Sequence, residues 1–392
     1  MTSVLHRIAL ALAALLFLTA EAAAQAPGAR PGGPGGPGGP QRGARPEAAS
    51  PDAPPAAARA AIPWVDVHTH LVGGGQRLGA QDYDAAAAAI IKAMDEANVR
   101  ASFVMPTPQP AGGAGNYDQD AFLSAIKPYR GRLFAMGGGG SIGPMILAQP
   151  DAGEVDDARR ERFVTMAKAI LDAGAIGFGE MTVTHLSHLE QHSYHRARPD
   201  HPLFLLLADI AAQRDVPIDL HMDPVIEPGP APAHMKSSRN PATLVPNLAQ
   251  FEVLLAHNRA ARIVWAHAGW DQTEHWTADL ARRLLAAHAN LYMSLKVQPR
   301  SPLRNQALGR DGQIAPEWKQ LMVDFPDRFV MGTDRFYAGE NAAGGTAAGA
   351  VFAERTPSLT VGARILLNQL PPDLARKVAI SNVEKIYKVK ID

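Results

Sequence analysis

The strongest constraint on this chain is a rhythm, in which short apolar runs alternate with amphipathic stretches from residue 65 to residue 387. Short runs rich in branched and aromatic residues, stopped by Gly or Pro, read as buried strands; longer stretches with apolar residues every three or four positions read as helices. Strands are expected at residues 65–70, 101–107, 133–136, 175–181, 216–222, 262–268, 291–297 and 329–333. Helices are expected at 84–99, 118–128, 155–173, 203–214, 248–258, 277–289 and 316–325, with a helical tail at 361–370 and 373–387. In 155–173, Phe163, Met166, Ala167, Ile170 and Leu171 recur at helical spacing before Gly174 ends the run. Such alternation implies parallel strands with crossover helices, and eight units predict an α/β chain closed as a (β/α)8 TIM barrel. An open doubly wound sheet is the alternative, but the glycines at 73–75 lack the GxGxxG spacing of its usual first turn.

The N-terminal 61 residues lie outside this rhythm. His6 and Arg7, an apolar run over 8–20 and small residues through Ala24 predict a signal peptide over 1–24, cut before Gln25. The run is shorter than the roughly 20 residues of a spanning helix, so no stable membrane span is expected after cleavage, an uncleaved anchor being the alternative. Residues 25–61 are rich in Pro, Gly, Ala and Arg and are read as a disordered linker, because they bury too little apolar surface to offset ordering entropy. Residues 62–392 then form one domain, and the leader predicts a periplasmic or secreted protein. Basic and acidic residues balance at 38 each, with no basic block after the linker, which argues against nucleic acid and anionic membrane surfaces. A small-molecule substrate is the expected partner, with homo-oligomerisation left open. There is no cysteine, which excludes disulfides, thiolate ligands and cysteine nucleophiles. Any metal must be held by His, Asp and Glu.

In a barrel of parallel strands, chemistry sits at the carboxyl ends of the strands. The first expected strand carries His68 and His70, two positions apart and so on one side. The fourth ends in Glu180, the fifth in His221, the sixth in His267 and the eighth in Asp334. Each residue alone has an ordinary explanation as an ion pair, a core histidine or a helix cap. Together they are six ligand-competent side chains at one end of five strands, and burying them without a cation would leave polar atoms unsatisfied. The ordered set resembles the amidohydrolase superfamily of metal-dependent hydrolases over essentially the whole of residues 65–387. His68-Thr69-His70 matches its first-strand HxH, His221 and His267 its fifth- and sixth-strand histidines, and Asp334 its eighth-strand aspartate. The resemblance implies either two ions bridged by Glu180, where many members use a carboxylated lysine, or a single ion with His267 activating water.

The donor set suits one or two divalent ions, zinc first, with manganese or iron as alternatives. An ion of this kind lowers the pKa of a water toward about 7 and polarises a carbonyl or phosphoryl oxygen. Asp334, or His267 in the single-ion case, is the expected catalytic base. Hydrolysis of an amide, ester, lactone or phosphoester of a small molecule is the leading expectation. The first alternative is non-oxidative decarboxylation of a carboxylated ring; the second, of another class, is an inactive ligand-binding barrel. Substrate contacts are expected from His185, picked from the loop histidines His185, His188, His192, His195 and His201, and from Lys296, Trp270 and Arg335. The Gly- and Ala-rich stretch 338–351 is expected to form a mobile cover over the site.

Overall fold

The computed structural model describes residues 62–72, 82–113, 117–190, 192–338 and 357–392. The expected signal peptide, linker and first glycine turn, and nearly all of the expected cover, lie outside these residues.

The described residues contain eleven strands and eleven α-helices. The strands are β1 (Trp64–Leu71), β2 (Val99–Val104), β3 (Leu133–Ala135), β4 (Gly137–Gly138), β5 (Phe178–His185), β6 (His195–Arg196), β7 (Pro217–Met222), β8 (Arg262–Ala268), β9 (Leu291–Leu295), β10 (Phe329–Met331) and β11 (Arg335–Tyr337). The helices are α1 (Tyr83–Ala97), α2 (Leu123–Ile126), α3 (Ile142–Leu147), α4 (Asp157–Asp172), α5 (Pro202–Gln213), α6 (Leu248–His257), α7 (Ala278–Ala287), α8 (Pro316–Asp324), α9 (Pro357–Gln369), α10 (Pro372–Arg376) and α11 (Asn382–Tyr387).

Local chemistry sets the helix ends. Asp82, Asp156 and Thr277 cap α1, α4 and α7 by accepting from Ala85 N, Arg159 N and Leu280 N. Pro202 starts α5, whose cap is His201: its Nδ1 accepts from Leu203 N at 3.1 Å and its Nε2 donates to the Gln149 carbonyl at 3.1 Å. That loop histidine is therefore a structural cap. The single helix expected at 118–128 is instead α2 between two short 3-10 turns. Asp118 at its start is drawn to the next strand, where its carboxylate accepts from Gly138 N at 2.8 Å.

Two sheets result, β11-β1-β2-β3 and β10-β9-β8-β7-β5-β4, parallel throughout except that β6 adds antiparallel to β5. Each expected end strand is split between them. Met136 N still bonds to Val104 O of β2 while Gly137 N turns to Gly177 O beside β5. Likewise Gly332 N bonds to Leu295 O of β9, and Asp334 N turns to His68 O of β1. The hydrogen-bonded ladders are thus two sheets sharing two strands of chain, an arrangement consistent with a TIM barrel. Burial agrees. Val65, Val67, Ala101, Phe103, Met105 and Met136 on one side share an inner cluster with Val264 and Val330 of the other, capped by Val383, Ile386 and Tyr387 of α11. Alternate residues such as Trp64, Ile263, Trp265, Phe329 and Met331 join a larger outer cluster with the helices. No helix among the described residues is long and apolar enough to cross a membrane.

Candidate metal centre

Three of the strands that carry the expected ligands each hold one extra residue against a neighbour. Between Asp66 and Thr69, β1 advances three residues while β2 advances two; β5 does the same against β7 between Phe178 and Met181, and β8 against β9 between Trp265 and Ala268. Such bulges re-aim side chains next to the extra residue. Val65 and Val67 pack in the inner cluster, and strict alternation would turn His68 outward. The bulge instead lets His68 reach across to Asp219 of β7. Val264 is likewise inner and Trp265 outer, and the slip at 266–267 turns His267 inward toward His221. Glu180 follows the same rule. It does not end its strand as expected, because pairing with β6 at Thr184↔Arg196 and His185↔His195 extends β5 to His185.

These slips bring all six expected ligands together. His68, His70 and Glu180 form one group whose ligand atoms lie within 4.8 Å of one another; Glu180, His221 and His267 form a second, and His68, His267 and Asp334 a third. The Nδ1–H of His70 donates to the Met105 carbonyl at 3.0 Å, and the Nδ1 of His68 lies 3.2 Å from Asp219 Oδ2. Both rings therefore turn Nε2 inward. Glu180 faces both halves: Oε2 is 3.6 Å from the Nε2 of His68 and of His70, while Oε1 is 2.5 Å from His221 Nδ1 and 3.4 Å from His267 Nε2. Asp334 sets Oδ1 at 3.0 Å from His70 Nε2 and 3.9 Å from His68 Nε2, and Oδ2 at 2.6 Å from Lys296 Nζ. His267 and Asp334 have left-handed φ of 69° and 55°, sparsely populated for such residues and found where surrounding structure imposes them.

The electrostatics of the bare site show a demand for positive charge. Burial opposes ionisation of Glu180, but the His68 charge and hydrogen bonds from His221 and His267 hold its carboxyl well below the usual range. Burial also opposes ionisation of Asp334, and the Lys296 ammonium outweighs it, leaving that pKa well below normal. His68 is raised well above an ordinary imidazole: burial works against this, and the Asp219 and Glu180 charges prevail. His221 rises to about 9 against its own burial, through Asp223 and Glu180. His267 is pushed down, to about 3, by burial. Without a cation, the neighbouring carboxylates favour protons on His68 and His221. His68 Nε2 and His267 Nδ1 nevertheless stay buried without a hydrogen-bond partner. Imidazole nitrogens and carboxylate oxygens with free lone pairs, in the absence of thiolate, fit a divalent ion such as zinc, manganese or iron.

The expected substrate contacts divide. His185 is buried, and its ring lies 4.1 Å from that of His221, directly outside the ligand group. His192 and His188 continue this line of rings at 4.6 and 5.9 Å from His185. Lys296 pairs with Asp334 and lies 4.7 Å over the Trp270 ring. Arg335 turns the other way, donating to Thr360 Oγ1 at 2.9 Å and lying over Tyr337, so its described contacts are with α9 and β11. Sequence reading missed two buried acids behind the ligands. Asp219 meets His68, and Asp66 accepts from Thr333 N at 2.8 Å and from the Thr333 hydroxyl, joining β1 to the turn that carries Asp334. Their only signal was an acid two residues before a ligand histidine within an apolar run.

No known sequence family and no curated protein matches the chain. Among solved structures, it is similar to an apo protein of Agrobacterium tumefaciens at 14% identity and a TM-score of 0.44, over 84% of this chain and 95% of that one. It is also similar to an amidohydrolase of Burkholderia multivorans with bound zinc, at 16% identity and a TM-score of 0.41, over 84% and 100%. A uronate isomerase of Bacillus halodurans is similar at 11% identity and a TM-score of 0.42, over 77% and 68%.

Proposed function

We propose that this protein is a divalent-metal-dependent hydrolase that cleaves an amide, ester, lactone or phosphoester bond of a small molecule with an activated water. The observation that carries this reading is the split presentation of Glu180, with Oε2 toward His68 and His70 and Oε1 toward His221 and His267. One carboxylate serving two nitrogen pairs favours two ions, with His68, His70 and Asp334 holding the first, His221 and His267 the second, and Glu180 shared. Such ions supply Lewis acidity, polarising an oxygen and easing removal of its proton.

The chain's own residues supply the rest. With Oδ1 directed at the histidines, Asp334 takes the proton of the attacking water at Oδ2 and returns it to the leaving group. Lys296 holds that same oxygen at 2.6 Å, so the carboxylate keeps one orientation during the transfer. Trp270 and the ring of His185 wall the approach, where they exclude water and orient an uncharged part of the substrate. In this reading residues 62–392 form one closed (β/α)8 domain, exported behind a signal peptide at 1–24 and a linker at 25–61 to the periplasm or beyond.

The test is a panel of amides, esters, lactones and phosphoesters, with carboxylated aromatic acids included, on zinc- and manganese-loaded protein. Turnover of a hydrolysable substrate that is lost in Asp334→Asn supports the proposal. Carbon dioxide release from the aromatic acids without hydrolysis would replace it with decarboxylation. Inactivity of fully loaded protein across a broad panel would favour a binding barrel.

A further inference from the structure

We infer that Asp219 is a positioning residue of the metal centre, holding the His68 ring with Nε2 toward the ion and strengthening that nitrogen as a ligand. The inference rests on the proposed metal centre. Asp219 stands on β7 two residues before His221, so both point inward, and it is 0% exposed. Both of its carboxylate oxygens lie 3.2 Å from His68 Nδ1. The space it fills depends on Gly179, where a Cβ would lie 3.0 Å from the Asp219 Cβ.

The comparison with His70 shows what this carboxylate adds. His70 is held through the same ring nitrogen by the neutral carbonyl of Met105, so orientation alone requires no charge. Asp219 is instead a fully buried acid whose Oδ1 has no hydrogen-bond partner. Among the described residues its only ion-pair partner is His68. This carboxylate therefore depends on a single imidazole for compensation in the buried interior. It is suited to a bound state in which a cation at Nε2 makes the Nδ1–H a stronger donor. A carboxylate behind a ligating imidazole fixes its tautomer and raises its basicity.

The experiment measures zinc affinity of chelator-stripped full-length protein by competition with a chromophoric chelator, for wild type, Asp219→Asn and Asp219→Ala. Loss of the carboxylate should weaken zinc binding about 10–100-fold, the size found for partners behind metal ligands. The metal-free melting temperature should fall in both variants, because one partner of a buried pair is gone, so zinc affinity is the readout that separates the roles. A purely structural Asp219 would lower the metal-free melting temperature and leave zinc affinity unchanged. Wild-type affinity in both variants overturns the inference and leaves the metal centre standing. If wild-type protein itself takes up no zinc or other divalent ion, the proposed function fails and the inference fails with it.

Discussion

Gly332 directly follows β10, where the chain crosses to β1, and Gly332→Ala tests how tightly β10 is fitted against His68. A Cβ there would lie 2.1 Å from Ser294 Oγ and 2.9 Å from His68 Cβ. Ser294 is buried and its hydroxyl has no hydrogen-bond partner, so that oxygen can rotate away cheaply. The Cβ of His68 is fixed by its strand and cannot. Overpacking of this kind costs about 1–3 kcal/mol, against roughly 0.4–1 kcal/mol returned by the stiffer unfolded chain, for a net loss of about 1–2 kcal/mol. The melting midpoint should fall on the order of 1–3 °C. Because the displaced atom belongs to His68, zinc affinity should fall as well, and adding Ser294→Ala should restore neither. Denaturant melts and chelator competition on the single and double variants read both quantities. A Gly332→Ala protein with wild-type stability and zinc affinity would refute the close approach of β10 to His68.

Two further perturbations test the surroundings of the site. Asn247 is buried, accepting from Val225 N at 2.9 Å and donating to Asp223 O at 2.9 Å and to Thr184 Oγ1 at 3.1 Å. Asn247→Ala leaves these groups unpaired at about 1–3 kcal/mol each, and equilibrium urea unfolding should show a loss on the order of 2–4 kcal/mol. Trp276 is buried and stacks on Trp265, with centroids 4.2 Å apart, while the Trp265 indole donates to Met222 O directly after His221. Trp276→Ala should cost about 3–5 kcal/mol by the same measurement; a loss below 1 kcal/mol would mean that the stack adds little.

Much of the fold was legible because strand and helix periods differ and because parallel strands bury both faces. β8 runs over the residues expected, and β7, β9 and β10 fall within one or two residues of expectation at each end. β5 did not, because its extension to His185 is made by pairing with a two-residue strand inside what reads as a polar loop. The candidate ligands were legible as residue types near strand ends, but the geometry joining them was not. Alternation from Val65 and Val67 would send His68 to the helices, and only a one-residue slip against β2 corrects it. A bulge leaves no residue signature here, since nothing in Val67-His68 or Ala266-His267 marks the extra residue. Pairings between residues far apart in the chain, such as Lys296 with Asp334, were equally beyond a linear reading.

The central claim is that His68, His70, Glu180, His221, His267 and Asp334 hold divalent metal, with Glu180 shared between two ions. Elemental analysis of protein reconstituted with zinc and freed of excess tests it most directly, with Glu180→Gln and His68→Ala measured alongside. The structure predicts two equivalents per chain in wild type and fewer in each variant. Wild-type protein without bound metal, or variants that match its content, would contradict it.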